Sequence, residues 1–227
     1  NGCTDDTSIV VTIMPFPTAS ITGQDVICLG ESTTLTASGG SSYTWSGGLS
    51  GETIVLTPSD TTAYSVTATV GSCSDDTTIT IAVKPLPTAN AGMSISICPG
   101  ETTTLTASGG DSFQWENGPA TASYAVTPSE TTTYTVTVTA IGCSDQDNII
   151  IIVKPLPTAS APNNITLCVG ESTTLIASGG DSYLWNDGHV LASYTVTPAQ
   201  TTTYTVTATQ NGCTDDTSIV VTIMPFP

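Results

Sequence analysis

The seven cysteines fall into two interleaved series, 3-73-143-213 and 28-98-168, that advance by one constant step without an insertion. Trp45, Trp115 and Trp185 keep the same step, as do Tyr64, Tyr134 and Tyr204 and the glycine pairs Gly39-Gly40, Gly109-Gly110 and Gly179-Gly180. A fixed step of this length marks one supersecondary unit used repeatedly, so the chain must fold as an array of small domains rather than around one large core. A Pro-x-Pro joint closes each unit. The repeats therefore run over 18–87, 88–157 and 158–227, and residues 1–17 are the last strand of a preceding repeat. That segment, NGCTDDTSIVVTIMPFP, recurs letter for letter at 211–227, whereas the copy at 71–87 has diverged. The larger period is three domains, and the chain reads as a window on a longer array.

Within a unit the apolar residues alternate with period two and turn residues interrupt them at short intervals, which predicts strands and no helix. In the first unit the strands are expected at 19–22 and 26–28 (one strand, split), 33–37, 43–45, 54–56, 63–69 and 77–83. Six or seven short strands in a unit of this length suit a two-sheet Greek-key sandwich. Successive side chains alternate across a sheet, so Tyr64, Val66 and Ala68 face inward, and Tyr43 shares a face with Trp45. A domain this small has a marginal core. Trp45, Trp115 and Trp185, with Tyr64, Tyr134 and Tyr204, are its candidate core aromatics.

Charge narrows the partners. Two Lys plus Arg stand against nineteen Asp plus Glu, a formal charge of -17. No basic patch exists to displace counterions from nucleic acid or to meet an anionic membrane. No apolar run is long enough to span a bilayer, and no leader pattern is present, so the segment reads as internal to a longer secreted polypeptide. The lack of a CxxC pair and the single histidine argue against a zinc site, and the regular cysteines point to disulfides in an oxidising, extracellular setting.

Two pairings compete. The intrarepeat set is Cys28-Cys73, Cys98-Cys143 and Cys168-Cys213. In a Greek-key sandwich, however, the turn after the first strand and the turn between the last two strands lie at opposite ends. With a strand of about seven residues between them, the two cysteines stand roughly 20 to 25 Å apart. A disulfide needs Cα atoms within about 7 Å. Head-to-tail stacking instead favours Cys28-Cys143 and Cys98-Cys213 between repeats, and sends Cys3, Cys73 and Cys168 to partners outside the segment. Joints locked in this way, reinforced by Pro15-Phe16-Pro17, Pro85-Leu86-Pro87 and Pro155-Leu156-Pro157, would make the array a stiff rod.

If cysteines meet across joints, Glu31 approaches Asp145 and Asp147, concentrating hard oxygen ligands of the kind calcium takes. No Asp-x-Asp-x-Asp-Gly loop is present, and plain solvating charge is the simpler reading; no cofactor is otherwise implied. Lys84 and Lys154, the only cations, precede the proline joints; they are read as solvated, with a salt bridge to the Asp145/Asp147 turn as the alternative. His189 stands alone in the non-repeating turn at 187–189, and no nucleophile and base can be paired, so the chain is not read as an enzyme. Asp60-Thr61-Thr62, Asp76-Thr77-Thr78 and Asn164-Ile165-Thr166 resemble glycosylation signals and read more simply as unmodified turns.

The motifs at 28–31 (Cys-x-Gly-Glu), 35–40, 43–45, 64–67, Cys73 and 85–87 recur in all three units. They resemble the immunoglobulin-like and PKD-like repeats of Bacteroidota surface proteins, especially the giant SprB-type gliding-motility adhesins exported by the type IX secretion system. The resemblance covers essentially the whole chain. It implies an all-β, rod-like array of tandem immunoglobulin-like (Greek-key) β-sandwich domains at the cell surface, a stalk or filament segment for adhesion and gliding motility. Its partners would be neighbouring repeats, with surface glycans or the substratum beyond them, and not nucleic acid or a lipid bilayer. The alternative is a glycan- or protein-binding module of a secreted multidomain protein, acting through the variable turns at 46–51, 116–121 and 186–191.

Overall fold

The computed structural model describes every residue except Asn1, Thr12, Phe226 and Pro227. The chain divides into two compact units: residues 1–88 with 109–111 and 138–145, and residues 89–108 with 112–137 and 146–227.

The first unit holds the whole of repeat 1. Its strands are β1 (Ser20–Thr22), β2 (Val26–Cys28), β3 (Thr33–Ser38), β4 (Ser42–Trp45), β5 (Thr53–Leu56), β6 (Thr62–Val70) and β7 (Cys73–Lys84). One sheet has the order β1-β3-β5 and the other β2-β7-β6-β4. The first strand is thus divided between the sheets, and its second half runs parallel to the last strand, with Cys28 opposite Lys84. Antiparallel β3 and β5 lie in one sheet while β4, between them in sequence, pairs with β6 in the other. This is an immunoglobulin-like Greek key. The one departure from an all-strand unit is a three-residue 3-10 turn, Ser46–Gly48, in the variable loop.

The core follows from the alternation. Trp45, Leu35, Val66, Ile27 and Ile81 are buried between the sheets, and Tyr43 and Tyr64 pack half-buried against them. In antibody domains a Trp on the third strand packs on a disulfide joining the second and sixth strands. Leu35 and Val66 fill that role here, on β3 and β6, and free the cysteines for other work. The glycine pair has a steric cause. Gly39 has φ 92°, and a Cβ there would collide with the Thr18 carbonyl; a Cβ at Gly40 would press on Ala68.

The second unit contains repeat 3 and most of repeat 2. Repeat 2 has β8 (Ile95–Ile97), β9 (Thr103–Thr106), β10 (Ser112–Trp115), β11 (Ser123–Val126), β12 (Thr132–Ala140) and β13 (Cys143–Val153). Repeat 3 has β14 (Ile165–Cys168), β15 (Thr173–Ile176), β16 (Ser182–Trp185), β17 (Ser193–Val196), β18 (Thr202–Gln210) and β19 (Cys213–Met224). Both keep the four-stranded sheet, β8-β13-β12-β10 and β14-β19-β18-β16. The strand corresponding to β1 shrinks to the single bridges Asn90↔Ser108 and Ser160↔Ser178. Trp115 and Trp185 are buried like Trp45; Tyr204 is buried and Tyr134 half-buried.

Residues 2–17, expected as a strand, form none among the described positions. The physical reason is the lack of a sheet edge: Ile9, Val11 and Ile13 are 85%, 80% and 89% exposed. The identical residues of β19 include Ile219 and Val221, both 0% exposed.

Candidate functional site: the cystine junctions

Cys28 ends β2 and Cys73 begins β7, and register puts Cys28 beside Lys84 at the far end of β7. Eleven residues of strand separate the two cysteines, about 36 Å at 3.3 Å per residue. The gap exceeds the sequence-based figure because β7 is twelve residues long, not seven. An intrarepeat disulfide would have to span a distance several times its reach.

Cys28 instead bonds Cys143, with Cα atoms 5.7 Å apart, and Cys98 bonds Cys213 at 5.5 Å. Cys3, Cys73 and Cys168 are free thiols. Each cystine sits in a built frame. The Glu31 carboxylate accepts the Cys28 N–H at 2.8 Å, and the Glu31 N–H donates to the Cys28 carbonyl at 2.9 Å. Gly30, at φ 88°, supplies the turn that a side chain would resist. Leu29 N–H donates to Lys84 O at 2.8 Å and keeps β2 on β7 beyond the cysteine. Glu101 and Glu171 cap Cys98 and Cys168 in the same way. Cys168 thus presents the frame of a bonded cysteine without its partner.

The lysines do something the sequence does not disclose. Lys84 Nζ donates to the Ile141 carbonyl at 2.8 Å, and Lys154 Nζ to the Asn211 carbonyl at 2.8 Å. The solvated reading does not describe them, and the acceptor on each is a backbone carbonyl rather than a carboxylate. Each lysine reaches the hairpin turn of the next repeat, immediately before the cysteine that its own neighbour bonds. A backbone acceptor leaves no trace in residue type. The turns themselves are strained or permissive: Ile141 has φ 49° and Asn211 φ 53°, each followed by glycine. In repeat 3 the lysine position is Met224, and Met14 lies against Gly71 of repeat 1's turn just as Lys84 lies against Gly142.

Glu31, Asp145 and Asp147 are not assembled as a metal site; among the described residues no group of three or more His, Cys, Asp or Glu is placed to hold one. The carboxylates have backbone work. Glu31 caps Cys28, Asp147 accepts the Ala91 N–H at 2.8 Å, and Asp75 and Asp215 accept those of Ala19 and Ala159 at 2.8 and 2.9 Å.

The variable turns are pinned from beneath. The indole N–H of Trp45, Trp115 and Trp185 donates to the carbonyl six residues on, at Gly51, Thr121 and Leu191. Backbone geometry is held while side chains change. In repeat 3 the change creates a cluster: His189 stacks on Tyr194 at 4.3 Å between centroids, and the Tyr194 hydroxyl donates to Asp187. That bond holds the Asp187 carboxyl below its usual range and pushes Tyr194 up to about 12. A cleft of about 340 Å³ opens beside it, lined by Leu184, Trp185, Asn186, Gly188, Thr205 and Thr207. Only the non-repeating Asp187 and His189 could have signalled this cluster in sequence.

No family model and no curated protein matches the chain. Among solved structures, a three-immunoglobulin-domain fragment of titin, an E-to-A variant, aligns over 93% of this chain and 100% of its own, at 16% identity and TM-score 0.48. Extracellular domains 3–5 of Drosophila OTK align over 92% and 97%, at 12% and 0.39. Immunoglobulin domains 1–5 of Sidekick-1 align over 89% and 57%, at 16% and 0.30. Such likenesses concern fold alone. The immunoglobulin-like description rests on the chain's own strand order.

Proposed function

We propose that the chain is a tension-resisting stalk segment of a giant secreted cell-surface adhesin, supporting surface attachment and gliding. The observation that carries this reading is the deployment of cysteine. Immunoglobulin-like cores of this chain are closed by apolar pairs such as Leu35 with Val66, and the cystines connect one repeat to the next. Crosslinks at that position add nothing to a single core and everything to the resistance of an array to extension. Disulfides also call for an oxidising compartment, hence a location outside the cell. The resemblance of the repeated motifs to SprB-type repeats is what suggests the gliding context and type IX export. In the proposed array, residues 1–17 complete a preceding repeat, and Cys3, Cys73 and Cys168 take partners outside the segment. The test is mechanical: the oxidised chain should yield far less extension under load than the Cys28→Ser/Cys98→Ser variant, and equal extension would end the proposal.

A second reading, a glycan- or protein-binding module, draws on the Asp187/His189/Tyr194 cluster beside its cleft. Glycan-array binding that the full chain shows and His189→Ala/Tyr194→Ala loses would favour it.

A further inference from the structure

Gln114 of repeat 2 and Leu184 of repeat 3 occupy the same repeat position, and the exchange removes a donor from two backbone carbonyls. Gln114 precedes Trp115 on β10, and its Nε2 donates to the Trp115 carbonyl at 2.8 Å and to the Gly118 carbonyl at 2.9 Å. Repeat 2 thus fills the notch beneath its variable turn with its own carboxamide. Repeat 3 closes the turn with the same backbone bond: Gly188 N–H donates to the Trp185 carbonyl at 2.9 Å, as Gly118 N–H does to Trp115 at 3.1 Å. Leu184 has no donor to supply. Among the described residues no other side chain donates to the Trp185 or Gly188 carbonyl. The cleft of about 340 Å³ opens at this place, lined by Leu184, Trp185, Asn186, Gly188, Thr205 and Thr207.

We infer that this cleft receives the guanidinium of an arginine on a partner protein, which takes over the two carbonyls that Gln114 satisfies in repeat 2. This rests on the binding-module reading and names the chemistry of its occupant. A guanidinium is the cationic counterpart of the carboxamide, planar and with its N–H donors in one plane. Charge selects between the two. In repeat 2, Gln146 on the adjoining strand donates to Thr137 Oγ1 at 2.9 Å. Its counterpart in repeat 3 is Asp216, exposed and in register with Thr207 of the cleft wall. Where the chain supplies its own amide, the adjoining strand carries a second amide; where the cleft is open, it carries a carboxylate.

The surroundings suit an arginine in two further ways. Leu184 is 52% exposed and offers apolar surface to the methylene stem, and Val190 and Leu191 on the same turn are 62% and 63% exposed. The formal charge of -17 adds a field that draws cations towards the chain. No arginine stands in the sequence, and Lys84 and Lys154 are held at the Ile141 and Asn211 carbonyls, so these repeats do not supply the occupant themselves. Because Asp216 is exposed, its preference for the cation amounts to about two- to fivefold at low salt and fades as salt rises.

The test titrates the isotopically labelled full chain, followed by NMR, with acetyl-Gly-Arg-Gly-amide and separately with acetyl-Gly-Gln-Gly-amide. Expected are saturable shifts at the backbone amides of Gly188, Thr205 and Thr207 with the arginine peptide, and binding of the glutamine peptide about two- to fivefold weaker at low salt. Leu184→Gln changes an exposed position and rebuilds the internal amide of repeat 2, so it should abolish the shifts while the fold stays intact by circular dichroism. Gln114→Leu/Gln146→Asp should bring matching shifts to Gly118, Thr135 and Thr137. Silence with the arginine peptide, equal affinity for the two peptides, shifts that survive Leu184→Gln, or no new site in Gln114→Leu/Gln146→Asp each overturn the inference. Glycan-array binding that is lost in His189→Ala/Tyr194→Ala, with no response to the arginine peptide, would leave the binding-module reading standing, so the two failures are separable.

Discussion

Load applied to the two ends of the oxidised chain follows the shortest covalent path, and the overlap of the two disulfide loops shortens it sharply. From Cys28 the path crosses to Cys143, runs back along the main chain to Cys98 and crosses to Cys213, so the stretch 98–143 stands in for the whole of 28–213. Reduction thus frees about 140 residues, about 460 to 500 Å of extended chain. The assay tethers positions 1 and 227 in single-molecule pulling and compares the fully unfolded contour before and after reduction. Wild-type lengths alone do not separate the pairings, because the intrarepeat set would leave the stretches 73–98 and 143–168 on the path, together nearly the same length of chain. Cys73→Ser does separate them. Cys73 is free in this structure, so its loss leaves the oxidised contour unchanged. Intrarepeat pairing would lengthen it by the stretch 28–73, about 150 to 160 Å. That growth, or a reduced chain no longer than the oxidised one, refutes the reasoning.

Ile141 is a β-branched residue at φ 49°, and Asn211 occupies the same turn position at φ 53°. Ile141→Asn should therefore stabilise the chain by about 1 kcal/mol in urea unfolding while the Lys84 bond to its carbonyl remains. Trp115→Ala removes a fully buried indole. It should cost about 3 to 5 kcal/mol, enough to unfold repeat 2 selectively in a calorimetric scan. The Asp187–Tyr194 bond predicts a pH plateau for repeat 3. The lowered carboxyl contributes above its ordinary value of 3.8 and loses that contribution as pH falls; the raised phenol contributes below 10.0 and loses it as pH climbs towards about 12. Tyr194→Phe should have a lower urea midpoint than the parent on the plateau and converge with it at both extremes.

Strand positions were legible because period-two alternation and the constant repeat step are properties of residue type. The core tryptophans were legible for the same reason, being the largest apolar groups on inward positions. The junction was half legible. Cysteine positions and the reach of a disulfide favour the interrepeat pairs but leave the intrarepeat set open; the length of β7 and the cystines themselves separate the two. The Lys84 and Lys154 contacts were not legible, since a backbone carbonyl has no letter. Nor were the tasks of Glu31, Asp75 and Asp147, which read as free charge in sequence and serve as acceptors for N–H groups at turns and edges. The same blindness lies behind the calcium alternative: carboxylates cluster in sequence where the chain turns, and these turns have their own donors to satisfy.

The position of the cysteines also decides how a repeat would meet force in the proposed array. Load would enter repeat 1 through Cys73 at the start of β7 and leave through Cys28 at the end of β2. These two strands are parallel neighbours, paired at Val26↔Ala82, Ile27↔Val83 and Cys28↔Lys84. Tension along them acts lengthwise on the hydrogen bonds between β2 and β7, which must then fail together rather than one at a time. β7 is in turn held along nine register positions by β6, from Thr62↔Ile81 to Val70↔Cys73. A terminal pull through the proline joints would load the chain at β1 instead, a three-residue strand in repeat 1 and a single bridge in the others. Cystines at the junctions therefore place the force across the parallel β2–β7 pairing, loaded lengthwise and backed by the long β6–β7 ladder, instead of on the β1 end of each repeat.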